Sequence, residues 1–115
     1  MTDIFIPAIN QTITFSVGKN AEENTRIVTE AEDTDLWFHV ENESSSHVIA
    51  HIHNDHKFNK KQKQKIVVQG ALLCKMNSRF KSQNNVPICF TEIKNITTTS
   101  IPGQVHTTNT KTISI

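Results

Sequence analysis

Basic residues crowd one stretch of the chain, and their spacing suits the binding of a polyanion. Seven of them form the predicted contact set for phosphate groups: Lys57, Lys60, Lys61, Lys63, Lys65, Lys75 and Arg79. His56 directly precedes this set. Lysine and arginine neutralise nucleic-acid phosphates and release their counterions, so the set predicts a nucleic-acid site. The alternative interpretation is a solvated lysine face that serves only solubility.

Flat rings form a second group upstream of the lysines. Trp37, His39 and His47 offer aromatic faces and hydrogen-bond donors on which unpaired bases can stack, so we expect them to line the site. His51 and His53 continue the alternation, and imidazoles two residues apart on a strand can share a zinc ion. No carboxylate or thiolate stands at a supporting spacing. Structural or surface histidines are therefore the preferred interpretation, with no metal and no cofactor.

Catalysis finds little support in the sequence. Three serines, Ser44 to Ser46, precede His47, but the members of a catalytic triad meet across a fold and sequence neighbours prove nothing. Gly18-Lys19 lacks the upstream glycine and the following Ser/Thr of a phosphate-binding loop. We assign no catalytic residue and expect a protein that is not an enzyme.

Alternating apolar residues predict the strands that position these side chains. Residues 11–17 alternate cleanly, and so do residues 36–40 and 48–52, with turn composition between the last two that predicts an antiparallel hairpin. Residues 86–90 predict a further strand. Residues 105–115 predict a final hairpin that turns at Thr108-Asn109.

Two helices complete the predicted fold. Asn20 can cap a short helix that carries Glu22 and Glu23 in its first turn. Residues 59–77 predict one long helix with a broad apolar face, where Gly70 allows a close approach to the sheet. The expected fold class is α+β: a mainly antiparallel sheet with one long helix and one short helix packed against one face.

The whole chain has the composition of one globular domain, residues 1–115. Residues 1–50 hold nine of the eleven acidic residues, whereas residues 51–115 hold ten of the twelve basic ones. If the two halves form separate flanks, the surface is polarised and the basic flank favours a polyanionic partner. If the fold instead interleaves the two halves, the electric fields of the acidic and basic residues cancel. No apolar run is long enough for a bilayer, and the first residues lack the pattern of a signal peptide. We therefore expect a cytoplasmic protein without a membrane partner.

The order of short motifs resembles the NFACT-R domain, the RNA-binding module of ribosome-quality-control NFACT proteins, over about residues 12–115. The most specific landmarks are the blocks Asp35-Leu36-Trp37-Phe38-His39-Val40 and Ser46-His47-Val48-Ile49. Gly18-Lys19, Gly70-Ala71, Val86-Pro87-Ile88 and Pro102-Gly103-Gln104-Val105 stand around them in the family's order. Lys19 and Ser45 replace the arginine and glycine of long NFACT proteins, as in the stand-alone, coiled-coil-containing branch.

The resemblance implies an RNA-binding or ribosome-associated module without known catalysis. Our leading hypothesis is a non-enzymatic nucleic-acid-binding domain that prefers structured RNA, such as tRNA or rRNA, and is linked to ribosome-associated quality control. The alternative is a protein-interaction module that docks on translation or quality-control factors through its acidic first half. A histidine-metal site is a third, weaker hypothesis. The many Asn, Ile and Lys residues fit an AT-rich genome, such as that of a large DNA virus or a protist.

Overall fold

The structure, a computed structural model, describes residues 1–52 and 57–115. The strands are β1 (Thr2–Ile6), β2 (Gln11–Val17), β3 (Leu36–Val40), β4 (Val48–His51), β5 (Pro87–Glu92), β6 (Ile96–Thr98), β7 (Val105–Thr107) and β8 (Lys111–Ser114). The α-helices are α1 (Ala21–Glu30) and α2 (Lys60–Met76), and two 3-10 turns span Pro7–Ile9 and Ile93–Asn95.

Six strands form one antiparallel sheet in the order β1-β2-β4-β3-β5-β8, and β6 pairs with β7 in a separate two-stranded ribbon. The predicted hairpin is present, because β3 and β4 are neighbours with Leu36 opposite Ala50 and Phe38 opposite Val48. The α+β class with a mainly antiparallel sheet is therefore confirmed. The strand β1, which the sequence analysis did not predict, extends the sheet beyond β2.

The main core lies between the sheet and α2. Alternation along β2, β3 and β4 sends Phe15, Phe38 and Ala50 to this face, where each is fully buried. Ile66 and Ala71 of α2 pack against them. The helix lies so close to the sheet that a Cβ atom at Gly70 would approach three atoms of the Phe38 ring to less than 3.0 Å. The prediction that Gly70 allows a close approach of the helix to the sheet is confirmed.

A second core covers the opposite face of the sheet, and here the expectation of both helices on one face is wrong. Trp37 and Ile49 point away from α2 and pack against Ile27 and Val28 of α1 and against Ile93. The physical reason is that β3 and β4 are apolar at consecutive positions. A central strand with apolar side chains on both faces needs cover on both sides.

The predicted C-terminal hairpin is also wrong. β7 pairs with β6, whereas β8 crosses to β5, where Ile113 stands opposite Ile88. A local turn at Thr108-Asn109 is present, with Asn109 at a φ of 54°, but the two flanking strands leave in different sheets. The exposed edge of β5 provides unpaired backbone groups that β8 satisfies.

The two helices divide the charge of the chain between the faces of the sheet. α1 carries Glu22, Glu23 and Glu30 against Arg26 alone, whereas α2 contains five lysines and no acidic residue. Because α1 and α2 cover opposite faces, their charges do not interleave. Within the described ranges, neither helix is long and apolar enough to cross a membrane.

Candidate nucleic-acid interface

Three rings from β3 and the approach to β4 form a compact cluster. Trp37 and His39 stack in parallel, with ring centroids 5.6 Å apart and planes 4° apart. His47 meets both rings edge-on, and its centroid lies 4.9 Å from that of His39. The indole Nε1 of Trp37 donates a hydrogen bond of 3.1 Å to Nδ1 of His47. The predicted trio is thus brought together.

Burial limits what this cluster can offer to a ligand. Trp37 is 3% exposed and His47 is 2% exposed, so these two rings shape the site from below its surface, and their part in RNA binding stays a prediction. The reason for this burial is the cover of α1 and the β6–β7 ribbon over this face of the sheet. His39 is only partly buried and keeps contact with the surface. Of the three predicted rings, His39 is the most accessible to a ligand.

Burial also sets the protonation of the two histidines. It lowers the pKa of His47 to about 4, with a further lowering by the nearby His39, against an opposing hydrogen bond with the backbone of Gly103. Burial lowers the pKa of His39 as well. Both imidazoles are therefore neutral at pH 7, so each has one donor and one acceptor nitrogen.

The cluster forms the floor of two adjoining clefts, with volumes of about 600 Å³ and 350 Å³. Both are lined by His39, His47, Gly103 and Gln104. The larger cleft is further walled by the segment Gly18 to Ala21 and by the serines Ser44 to Ser46. The sequence analysis used Gly103 and Gln104 only as family landmarks and missed their place in this site. No local signal marks them, since they lie far along the chain.

Hydrogen bonds from three separate segments hold the walls of this cleft in place. The backbone N–H of Gly103, at a φ of 80°, donates to Oγ1 of Thr25 on α1 at 2.7 Å. The backbone N–H of His47 donates to Oδ1 of Asn24 at 3.0 Å. Ser45 Oγ accepts from the backbone N–H of Val40 at 3.1 Å. The cleft is consequently preformed by the fold.

The predicted phosphate contacts lie elsewhere, around the first turns of α2. Lys57, Lys60, Lys61, Lys63 and Lys65 are all exposed. None of these five forms an ion pair with another residue in the described ranges. Lys60, Lys61 and Lys63 lie in the first turn of α2, at the positive end of its dipole, where a cation costs roughly 0.3–1 kcal/mol at low salt, and Lys57 and Lys65 flank that turn.

A capping box formed by Asn59 and Gln62 closes the start of α2. Oδ1 of Asn59 accepts from the backbone N–H of Gln62, and Oε1 of Gln62 accepts from the backbone N–H of Asn59, both at 2.9 Å. This capping box engages the backbone N–H groups of Asn59 and Gln62. The exposed lysine side chains around it remain available to an anion.

Lys75 and Arg79 are engaged within the protein. Nζ of Lys75 donates to the carbonyl oxygen of Ile115 at 3.0 Å, and Arg79 pairs with Glu43 at 2.6 Å. The side chains of Lys75 and Arg79 are therefore less available to phosphate than the other five residues of the predicted contact set. The exposed surface of α2 toward its C-terminal end also carries apolar side chains: Val68, Leu72 and Met76, which are 40%, 40% and 53% exposed.

The structure separates the lysines from the rings. α2 covers the face opposite to Trp37, and near the C-terminal end of α2 Sγ of Cys74 donates to the carbonyl oxygen of Ser46, the residue before His47, at 3.7 Å. At 1.5 Å per residue, Lys61 is roughly 20 Å along the helix axis from this end. The two predicted halves of the site can touch one extended ligand but not one small one.

A hydrogen-bonded chain that the sequence analysis missed links three other polar residues. Nδ1 of His51 lies 3.2 Å from Oδ2 of Asp35, and Nε2 of His51 lies 2.6 Å from Oγ of Ser16. This is the connectivity of a serine-hydrolase triad. Ser16, however, is 7% exposed, and the cavity beside His51 is lined by Thr14 and Asp35 but not by Ser16. The hydroxyl of Ser16 is therefore buried and does not line the cavity beside His51.

The same chain has a clear structural role. Asp35 also accepts hydrogen bonds from the backbone N–H groups of Ile52 at 2.8 Å and Glu32 at 3.0 Å. Burial alone would raise the pKa of Asp35, but hydrogen bonds from His51, Glu32 and Ile52 outweigh it and hold the pKa below its ordinary value. The carboxylate thus ties the entrance of β3 to the end of β4.

The described part of the chain shows neither a serine nucleophile beside His47 nor a cluster of metal ligands. Ser44 to Ser46 do not approach His47 as a nucleophile, and Ser45 Oγ instead donates to the carbonyl oxygen of Ser46 at 3.2 Å. Residues 1–52 and 57–115 contain no group of three His, Cys, Asp or Glu side chains that could hold a metal ion. His53 and His56, which the sequence analysis also named, lie outside the described residues.

A six-stranded antiparallel sheet, a basic helix and a ring-floored cleft define a small α+β domain built around two separate surfaces. The model of one family, described as the NFACT protein RNA binding domain, matches residues 1–110. Since the match covers nearly all of the chain, the protein belongs to this family, and the resemblance seen in the sequence is confirmed. The family is defined by RNA binding and not by catalysis, which points to a nucleic-acid partner.

One solved structure is similar over most of the chain. It is the C-terminal of the fibronectin/fibrinogen-binding protein from Streptococcus suis, with a TM-score of 0.74 and 25% sequence identity. The similarity covers 88% of this chain and 40% of that chain, so the protein spans less than half of the length of that structure. The comparison with curated proteins finds no match.

Proposed function

We propose that this domain binds structured RNA, such as tRNA or rRNA, through the lysines at the start of α2. The observation that carries the proposal is the group of five exposed lysines, Lys57, Lys60, Lys61, Lys63 and Lys65, none paired with an acidic residue of the described ranges. Membership in an RNA-binding domain family supports RNA as the polyanion.

The position of these lysines supports a functional reason for them. Cations at a helix start oppose the helix dipole, and a sequence selected for stability alone would place acidic residues there, as α1 does with Glu22 and Glu23. An RNA phosphate removes the penalty, because it neutralises the lysines and releases condensed counterions. The unfavourable interaction between the lysines and the helix dipole, present in the free protein, is thus relieved when RNA binds.

A salt titration with tRNA tests the proposal. If about five phosphates are neutralised, log K should fall with log salt at a slope of about −4. Reversing two charges, Lys61→Glu with Lys65→Glu, should reduce the slope by about 2 and weaken binding at low salt. The matched control reverses Lys81 and Lys111, which are exposed, form no ion pair within the described ranges and lie outside the group of five lysines. No binding at low salt, or equal losses in both double variants, contradicts the proposal.

We further propose that the domain acts in the cytoplasm on ribosome-associated RNA, in ribosome-associated quality control. The support is the family to which the chain belongs. Sedimentation of the protein with purified ribosomes tests this step. The Lys61→Glu/Lys65→Glu variant should leave the ribosomal fraction, and co-sedimentation that is unchanged in this variant argues against it.

Protein docking is a second candidate function, and the exposed apolar row of α2 favours it. Val68, Leu72 and Met76 follow each other at a spacing of four residues, with Lys65 and Lys75 beside them. Because α2 has no acidic residue, a second α2 would bring only like charges, and the suitable occupant is an amphipathic helix with acidic flanks.

A designed helical peptide with one leucine face and flanking glutamates probes this surface. The variant Val68→Ser/Leu72→Ser should lose the peptide, while Phe5→Ser, which removes an exposed apolar side chain on β1, should keep it. Absence of peptide binding to the wild-type protein counts against the docking function and leaves RNA binding unaffected.

A further inference from the structure

The cleft over His39 combines one accessible flat ring with polar walls, in which Lys19 and Glu43 are the charged side chains. His39 lies against Trp37 on one side and His47 on the other, so its ring is held in a fixed orientation. Ser44 and Gln104 are exposed on the walls. Its volume of about 600 Å³ lies within the range of pockets that hold small ligands.

We propose that this cleft binds a single unpaired nucleobase of the RNA, with the base against the ring of His39 and its polar edge toward Ser44 and Gln104. The inference rests on the proposed RNA-binding function and adds a second contact, remote from the lysines of α2. Unpaired bases are recognised in proteins by stacking on rings and by hydrogen bonds to their edges.

The ring cluster is suited to a neutral aromatic ligand. Burial lowers the pKa values of His39 and His47, so that the floor of the cleft is uncharged at pH 7. A rigid ring also loses little conformational entropy when a base stacks on it, because Trp37 and His47 already fix its orientation. Stacking on a side-chain ring typically contributes enough to change affinity about fivefold or more.

A phosphate is a poor occupant of the same cleft. The start of α1 lies on its wall, but Oδ1 of Asn20 accepts from the backbone N–H of Glu23, and the carboxylate of Glu23 accepts from the backbone N–H of Lys19, both at 2.9 Å. The anion position is thus taken by the protein's own groups. The ammonium of Lys19 is exposed and forms no ion pair within the described ranges, so it can hold the phosphate attached to a bound base.

Two hairpin RNAs of equal charge test the inference. They share one stem, and the loop carries bases in one RNA and abasic residues in the other, so that every phosphate is retained. The wild-type protein should bind the base-bearing loop about fivefold or more tightly than the abasic one. His39→Ala should remove this preference while the salt dependence persists.

A second variant guards against a folding defect in His39→Ala. Ser44→Leu narrows the cleft from an exposed wall position without adding a ring for stacking, and it should also abolish the preference for the base-bearing loop. Ser82→Leu, at an exposed position outside the cleft, should retain it. A preference that survives in Ser44→Leu, or a wild-type protein that binds both hairpins equally, overturns the inference.

The outcomes separate this inference from the proposed function. Equal, salt-dependent binding of both hairpins defeats the base site but supports RNA binding by the lysines. Absence of binding to either hairpin and to tRNA at low salt defeats both. A free nucleoside monophosphate serves as a competitor in a further experiment. If millimolar concentrations remove only the preference for the base-bearing loop, the cleft accepts a base without the stem. If they displace both hairpins completely, the lysines are not an independent contact.

Discussion

Trp37 and His47 are joined by a hydrogen bond of 3.1 Å between the indole Nε1 and the imidazole Nδ1, and both side chains are almost completely buried. The bond fixes the tautomer of His47, because Nδ1 must be unprotonated to accept. It also joins β3 to the residue that precedes β4, beneath the cleft that we assign to a base.

Replacing Trp37 with phenylalanine should destabilise the fold without directly changing RNA contacts. The variant leaves Nδ1 of His47 buried without its donor, which costs about 1–3 kcal/mol in addition to the lost volume. Urea denaturation measures the loss. Trp37→Phe protein that is still folded should keep its salt-dependent binding to tRNA, and a loss of binding without a loss of stability would show that the indole itself touches RNA.

Stability should fall as the pH drops from about 6.5 to about 4. Burial lowers the pKa of His47 to about 4, while the unfolded histidine titrates near 6.5, so the unfolded chain binds the additional proton across this window. The native state is therefore most stable above pH 6.5 and loses up to about 3 kcal/mol on acidification. Urea melts at several pH values measure the slope.

A matched pair of variants assigns this pH dependence to His47. His47→Gln keeps an acceptor for Trp37 but does not titrate, so its stability should vary less between pH 6.5 and 4. His106→Asn, at an exposed histidine, should behave as the wild type. Equal slopes for both variants would be inconsistent with the burial of a neutral His47.

Gly70→Ala should destabilise the protein although alanine is the better helix former. The gain in helix propensity is about 1 kcal/mol, but the added methyl group would overlap with the ring of Phe38, and overpacking of this kind costs about 1–3 kcal/mol. Gln64→Ala, on the exposed side of the same helix, is the control. A higher melting temperature for Gly70→Ala would mean that α2 can move away from the sheet.

The hydrogen-bonded chain of Asp35, His51 and Ser16 should behave as a structural element. Asp35→Ala removes the acceptor of two backbone N–H groups and should lower the free energy of unfolding by about 3 kcal/mol. A fluorophosphonate probe should not label Ser16 in the native wild-type protein, since the hydroxyl is covered. Labelling that disappears in Ser16→Ala would instead reveal a reactive serine.

Arg79 should contribute little to RNA affinity, because it is paired with Glu43. The double variant Arg79→Gln/Glu43→Gln keeps the net charge and should leave the affinity for tRNA nearly unchanged. Lys61→Gln, which removes one free ammonium group, should weaken binding about 5- to 10-fold at 0.1 M salt. Equal effects of the two variants would place Arg79 within the RNA contact.

Local sequence signals were sufficient for the strands β2 to β5 and for both helices, whereas β1 was missed. The alternation around Phe15 and Phe38 predicted the strands of the main core. Asn20 caps α1 as predicted, and α2 begins one residue after its predicted start at Asn59. These signals are reliable because each depends on residues only two to four positions apart, where strand alternation and helix capping act.

Long-range packing decided the rest. The sequence determined that Trp37, His39 and His47 would share one face of a sheet, and that the lysines would crowd the start of a helix. Only the tertiary structure decided that α1 covers that face, which buries two of the three rings and leaves His39 at a cleft closed by Gly103 and Gln104. The physical reason is that apolar side chains on both faces of β3 and β4 must be removed from water. Local sequence patterns do not predict which distant segment of the chain covers each face.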